Sequence, residues 1–270
     1  MDNKSYPEKI RDLGRLALAK AEIDREKSNP EQAEEETRSL PQEEEAPHTA
    51  GTAEERLLAF IGGKAESALL MDAFNILLEE DIFRTNPQAL EKLNGWVKAR
   101  DASRQPAAMY AMGSLLLEKD DLSGTVKMAE EGLSKYPQSL PVQILSLNTI
   151  TVLLDKNRLQ DAERLISKYP GSSPDLVFQQ GALAFLKKDY SLAQKFFREA
   201  ARRASETTAE NALFNENLAA LNANDASGAA ALIKEASGSS RLRESILFEQ
   251  AHYAAKTVSY THLRAHETDS

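Results

Sequence analysis

The clearest pair of residues with possible metal chemistry lies near the C-terminus. His262 and His266 stand four residues apart, a spacing that places two imidazoles on one face of a helix, as in zinc proteases. Such a protease also needs a glutamate directly after the first histidine, and Leu263 stands there instead. The pair therefore predicts no catalytic metal site, and we assign no metal-binding residue.

A glycine-rich stretch could bind phosphate. Gly62, Gly63 and Lys64 are similar to the end of a phosphate-binding loop. That motif requires another glycine five positions before its second glycine, where Leu58 stands, and Ser or Thr after the lysine, where Ala65 stands. We therefore interpret the stretch as a break between two helices and predict no cofactor.

An acidic pair, Asp120 and Asp121, could in principle provide paired carboxylates. The pair stands between two apolar helical patterns, where solvated turn residues are the favoured interpretation. No nucleophile, base and orienting group can be assembled from the sequence. We therefore predict no catalytic residues and a protein that is not an enzyme.

Composition narrows the remaining classes of function. The 270 residues carry a net charge of −9 and contain no cysteine, which excludes disulfides and thiolate metal sites. The chain has no run of about 18 apolar residues, so the sequence predicts no membrane span. The N-terminus lacks an apolar signal segment. No basic stripe is evident, which argues against nucleic acid as the partner. We predict a cytoplasmic protein.

The N-terminal part differs in composition from the rest. Residues 1–27 are predicted to hold an amphipathic helix, whose apolar face includes Leu13, Leu16 and Ile23. Residues 28–54 contain two runs, each of three glutamates, and three separate prolines. This composition predicts an acidic disordered linker. An isolated helix of this length is marginal in water, so it needs a surface. A partner, a groove of the same chain and, least favoured, a membrane stay open.

The strongest recurring pattern begins at Gly181. Tyr190, Ala193, Phe197 and Ala200 follow at offsets of nine, twelve, sixteen and nineteen residues. This set resembles the tetratricopeptide repeat (TPR), a helical hairpin of about 34 residues with small residues where its two helices touch. The resemblance implies an all-α fold, an α-solenoid of stacked antiparallel hairpins that form a TPR-like superhelix.

Counting from Gly181 gives equivalent positions along the chain, spaced by roughly 34 residues. They are Leu77, Gly113, Ile150, Asn217 and Ala251. Twelve residues after most of them a small residue recurs, such as Ala89, Thr125 and Ala162. We predict about five hairpins over residues 55–256, with Gly113 marking another well-matched repeat. An ordinary helical bundle with chance spacing is the alternative.

The resemblance also implies a binding surface. In this family the position three residues before each register position commonly faces a concave groove. Here it is held by Tyr110, Leu147, Phe178, Phe214 and Phe248, and Asn217 lies nearby. We predict that these six residues bind a peptide or partner protein of unknown identity in a scaffold. The alternative is that the rings pack between adjacent first helices.

Two other interpretations of the function stay open. The chain could be a non-catalytic adaptor region of a larger enzyme, or of an envelope or secretion assembly protein, that is cut off at its C-terminus. The N-terminal helix could instead be an intramolecular ligand of the groove.

The C-terminal tail has a different origin in our interpretation. Residues 258–268 read VSYTHLRAHET, which resembles a translated sequencing adapter, so residues 257–270 are predicted to be non-native. The last hairpin would then be truncated. Residues 241–256 would form a first helix without its second, and the outer side of Leu247 and Phe248 would stay uncovered.

Overall fold

The protein is described by a computed structural model covering residues 16–17, 19–21, 23–24, 52–63 and 67–268. Every regular element in these residues is helical and none is a β-strand, which confirms the prediction of an all-α fold. The chain divides into two compact units, Met1–Leu145 and Ser146–Ser270.

The helices of the first unit begin after the acidic stretch. They are α1 (Ala53–Gly62), α2 (Ser67–Glu79), α3 (Ile82–Thr85), α4 (Pro87–Lys98), α5 (Gln105–Glu118) and α6 (Leu122–Lys135). Helix α7 (Leu140–Asp155) starts in this unit and continues into the second. The second unit then contains α8 (Leu159–Lys168), α9 (Pro174–Leu186), α10 (Tyr190–Arg203), α11 (Glu206–Asn222), α12 (Ala226–Glu235), a short 3₁₀ turn (Ala236–Gly238) and α13 (Ser240–Thr268).

The same three-residue turn joins the two helices of successive pairs. Its middle residue has left-handed backbone geometry, with φ of 56° at Asp120, 56° at Asn157, 65° at Lys188 and 58° at Asn224. In the turn between α9 and α10, the Asp189 N–H donates to Ala184 O and the Lys188 N–H to Phe185 O, both at 2.9 Å. Equivalent bonds close the other three turns, so each pair ends its first helix in a Schellman motif.

The residue after the left-handed position begins the second helix. Asp121, Asp189 and Asp225 each accept a hydrogen bond from the backbone N–H three residues later. This cap satisfies a donor that the first turn of a helix leaves free. Arg158 occupies the same place before α8 and makes no side-chain cap. The acidic residues Asp120 and Asp121 are thus exposed turn residues, as predicted.

Helix breaks in the first unit follow the sequence signals. Helix α1 ends at Gly62, with Gly63 as its C-cap, so the glycine stretch is a helix end. The Asn86 side chain accepts from the backbone N–H groups of Gln88 and Ala89, and Pro87 opens α4. Proline fits the first helical position because its missing N–H has no partner there. The helix end at the glycine stretch agrees with the prediction from sequence.

The core of the first unit includes buried residues of α1, α2, α3, α4 and α5. The ring centroid of Phe74 lies 6.2 Å from that of Phe83 and 5.6 Å from that of Trp96. The Trp96 ring meets Phe74 edge-on. Such edge-to-face contacts stabilise aromatic pairs beyond their buried area. At the other end of the unit, a side chain at Gly113 would overlap Leu145, so this glycine admits the leucine against α5.

The N-terminal segment is described at a few positions, all of them helical. Leu16 and Ile23 belong to the same buried cluster as Leu57 and Leu70. The other residues of segment 1–27, and nearly all of the predicted linker 28–54, lie outside the described residues. The predicted domain boundaries therefore stay predictions.

The core of the second unit contains the hairpin that carries the glycine pattern. A Cβ atom at Gly181 would lie 2.8 Å from the Phe197 ring, which is fully buried together with Ala193 and Ala200. The glycine therefore makes room for an aromatic side chain of the second helix. Tyr190 meets Phe185 edge-on at 5.4 Å and closes the turn end of the same hairpin.

The last helix includes most of the predicted non-native tail. Helix α13 continues to Thr268, so residues 258–268 are helical in their backbone, while side chains after Ala254 lie outside the described part. The non-native origin of residues 257–270 stays a prediction. Within the described residues, no helix combines the length and apolar character needed to cross a membrane.

Candidate peptide-binding surface

The predicted groove residues all lie on helices that open a hairpin or follow the last one. Tyr110 lies on α5 in the first unit and is half-buried. The second unit carries Leu147 on α7, Phe178 on α9, Phe214 on α11 and Phe248 on α13. We call these four side chains the ladder. Each of its members lies on a different helix, as the register predicted.

The ladder is not uniform in exposure. Phe178 is partly buried, and its ring lies 5.4 Å from Phe197 in an edge-on contact inside its own hairpin. Phe214 is also partly buried and packs on the cluster of Leu232, Leu242 and Ile246. Both rings thus contribute to the core and can offer a ligand only one side.

Phe248 is the open end of the ladder. Its side chain is 69% exposed, the largest fraction among the exposed large apolar side chains of the described residues, and Leu247 beside it is 42% exposed. The Phe248 ring stacks on His252 at 6.4 Å between centroids. An exposed aromatic stacked on one neighbour offers an apolar face without an intramolecular partner for it. This agrees with the expected uncovered side of residues 241–256.

A hydrogen bond joins two first helices beside the ladder. Thr151, one turn after Leu147, donates from Oγ1 to Leu147 O and accepts from Gln179 Nε2 at 2.9 Å. Gln179 follows Phe178 directly. The bond therefore sets α7 next to α9 at the level of their ladder residues.

Asn217 is placed differently from the expectation. Its side chain is fully buried, and its Oδ1 accepts a hydrogen bond of 2.8 Å from Gln250 Nε2 on α13. Gln250 also donates to Ala229 O at 2.7 Å, so it bridges α11 and α12. The geometry favours a role in joining helices over direct contact with a peptide, because no face of Asn217 reaches the surface.

A buried carboxylate lies next to Asn217. Glu216 is fully buried and pairs with Arg198 on α10. Burial raises the pKa of the Glu216 carboxyl above its ordinary value, and the Arg198 charge acts in the opposite direction. Within the described residues, Asn217 Nδ2 and the Glu216 oxygens lack a hydrogen bond of good geometry. The interior beside Phe214 therefore contains a buried amide and a buried charged pair.

The structure also shows a charged pocket that our reading of the sequence missed. A pocket of about 370 Å³ on α10 is lined by Lys195, Arg198, Glu199, Arg202 and Arg203. Arg203 is held by Glu199 and by the Ser172 Oγ, both at 2.8 Å. The four basic residues recur at offsets of three, seven and eight, which place them on one helix face. This local spacing was visible in the sequence, although no basic stripe runs along the whole chain.

No group of histidine, cysteine, aspartate or glutamate side chains in the described residues has the arrangement of a metal site. The side chains of His262 and His266 lie outside those residues. Nothing in the structure therefore tests the interpretation of this pair.

Comparisons with known proteins add evidence on the fold. No protein-family model and no curated protein matches the chain. A solved structure titled "Crystal structure of BtubC (BKLC) from P. vanneervenii" is similar, with a TM-score of 0.54 and 14% sequence identity. The match covers 87% of this chain and 92% of that chain. At this identity the likeness is one of fold alone.

Proposed function

We propose that this chain is a non-enzymatic, cytoplasmic scaffold of TPR-like hairpins that binds a peptide or partner protein along the ladder of its second unit. The observation that carries the proposal is the row of Leu147, Phe178, Phe214 and Phe248 on successive first helices. The exposed Phe248 ring gives it an open anchor. An apolar ladder of this kind suits a peptide with apolar side chains at regular spacing.

The repeated turn supports the TPR-like part of the proposal. The left-handed residues at 120, 157, 188 and 224 recur every 31 to 37 residues, close to the period counted from Gly181. The two periods come from different residues and different physical causes. Helical hairpins repeated at this period are typical of solenoid proteins.

The side-chain contacts decide which ladder residue gives the cleanest test. Replacing Phe178 or Phe214 by Ala removes core packing as well as ligand surface, because both rings are partly buried. Phe248→Ala removes an exposed ring and leaves the hairpin cores intact. Leu192→Ala is the matched control, since Leu192 is 39% exposed and lies on the second helix α10, which carries no ladder residue.

The experiment uses the full chain as bait for a displayed library of random peptides. Selected peptides are synthesised, and their affinities are measured by fluorescence polarisation. We expect Phe248→Ala to weaken binding at least about tenfold, because an aromatic side chain that becomes buried on binding is typically a hot spot. Leu192→Ala should leave the affinity unchanged. Equal affinity of the wild-type chain and Phe248→Ala would reject the ladder as the binding surface.

A further inference from the structure

The N-terminal segment has one buried and one exposed face. Leu16, Ala19 and Ile23 are each at most 5% exposed, whereas Ala17, Ala21 and Asp24 are exposed. Offsets of three and seven residues fall on the same side of a helix. The described residues therefore form an amphipathic helix that is docked through its apolar side.

The docking surface belongs to the first unit. Leu16 and Ile23 are part of the buried cluster that includes Leu57 and Ile61 of α1 and Leu70 of α2. Lys20, between the apolar positions, forms an ion pair of 2.9 Å with Glu79, the last residue of α2. Both side chains of this pair are largely exposed, so it orients the helix and adds little stability.

The described part of the attachment consists of a few side chains. Its described apolar contacts come from two large side chains and one alanine, and helices this short are marginal in isolation. The sequence places 28 residues, 25–52, between the described segment and α1. A tether of that length leaves the helix at roughly millimolar effective concentration beside its site, so weak binding suffices to keep it docked.

We propose that the surface formed by α1 and α2 is a binding site for an amphipathic helix, and that the chain's own N-terminal helix is its releasable ligand. The site recognises the apolar residues Leu16, Ala19 and Ile23, which lie three and seven positions along the helix from Leu16, and the basic residue Lys20. It is a different surface from the ladder, so the inference goes beyond the proposed function and does not depend on it.

The test supplies the helix as a separate molecule. A fluorescent peptide of residues 7–27 is titrated into the wild-type full chain and into the full-length variant Leu16→Ser/Ile23→Ser, whose own helix has lost its apolar anchors. We expect the peptide to bind the variant at least about tenfold more tightly than the wild-type chain, because the resident helix competes in the latter.

Matched peptides control for specificity. The peptide with Ala17→Ser/Ala21→Ser, changed on its exposed face, should bind the variant as the native peptide does. The peptide with Leu16→Ser/Ile23→Ser should not bind. Equal binding to wild type and variant, or no binding to a variant that retains its helical circular dichroism, would overturn the proposal.

Hydrogen exchange of the wild-type chain gives a second measurement that needs no variant. A releasable helix should exchange its amides between residues 16 and 24 through an opening that leaves α2 protected. Exchange of this segment at the same free energy as α2 would show that it is a permanent part of the core, and would overturn the inference even if the variant failed to fold.

Discussion

The hairpin α9/α10 and the hairpin α11/α12 have the same framework and different interiors. Both close with a left-handed turn residue and an aspartate cap, at Lys188 and Asp189 and at Asn224 and Asp225. At the register position, however, the first has a glycine against a phenylalanine ring. The second has the buried Asn217.

The difference teaches that the same turn and cap can join two helices whose interiors differ in chemistry. Behind Gly181 the interior is apolar and filled by Phe197. Behind Asn217 it holds an amide, the Glu216 carboxylate and the Arg198 guanidinium. A polar interior is tolerated when buried groups find partners, and Gln250 supplies one for Asn217. The following predictions test this separation of framework and interior.

The largest effect on stability is expected from removing the buried ring of the apolar hairpin α9/α10. Phe197→Ala should lower the free energy of unfolding by about 3–5 kcal/mol, because it removes a fully buried ring and leaves a cavity. Thermal or urea unfolding measures the loss. Phe248→Ala removes the same side chain from an exposed place and should change stability by less than about 0.5 kcal/mol. Similar losses in both variants would contradict the packing described for Phe197.

Filling the glycine position should have a smaller cost. Gly181→Ala places a Cβ atom 2.8 Å from the Phe197 ring, and we expect a loss of about 1–3 kcal/mol from overpacking. Gly95→Ala is the control, because a Cβ at Gly95, within α4, meets no atom within 4 Å. That variant should gain about 0.5–1 kcal/mol from helix propensity. A stabilised Gly181→Ala would show that the ring moves away freely.

The polar hairpin should respond to pH. The folded-state pKa of Glu216 is raised above its value of 4.5 in the unfolded chain. Its contribution to stability is therefore fully present below about pH 4.5 and is lost as the pH rises through the folded-state pKa. Glu216→Gln cannot ionise, so it should match the wild type near pH 4 and be more stable at pH 7 to 8. Melting curves across this range measure the difference. A variant that is less stable than the wild type at pH 8 would show that the pair with Arg198 outweighs the cost of burial.

The smallest effects concern the N-caps of the second helices, of which α10 has an aspartate cap and α8 has none. Asp189→Ala should destabilise by about 1 kcal/mol, since the Leu192 N–H loses its acceptor. Arg158→Asn should stabilise by up to about 1 kcal/mol, because Arg158 makes no cap and asparagine is a favourable cap residue. Urea unfolding resolves both changes. No gain in Arg158→Asn would mean that its ion pair with Asp161 matters as much as a cap.

Local signals in the sequence predicted the helical elements well. The glycine stretch ends a helix as expected, and Gly181, Ala193 and Phe197 meet as their spacing indicates. These features depend on residues fewer than 20 positions apart. At Gly181 the space left by the missing side chain is filled by the Phe197 ring.

The candidate site was harder to predict because it depends on distant residues. Asn217 is enclosed since Gln250, 33 positions later, reaches its amide, and no spacing rule reveals that contact. The packing of Phe214 likewise depends on Ile246, which belongs to another helix. The register placed each ladder residue on the correct helix but could not rank their exposure.

The recurring turns have a consequence for the kinetics of folding. Each turn is closed by hydrogen bonds between residues three to five positions apart, and each cap reaches three residues forward. Because these contacts join residues that are close in sequence, forming them costs little chain entropy. Proteins rich in such contacts fold in microseconds to milliseconds. In the solenoid proposed above, any hairpin can nucleate folding without waiting for its neighbours. The chain reverses direction at left-handed residues such as Lys188. This backbone conformation is unfavourable for residues other than glycine, and it recurs in each of the four turns.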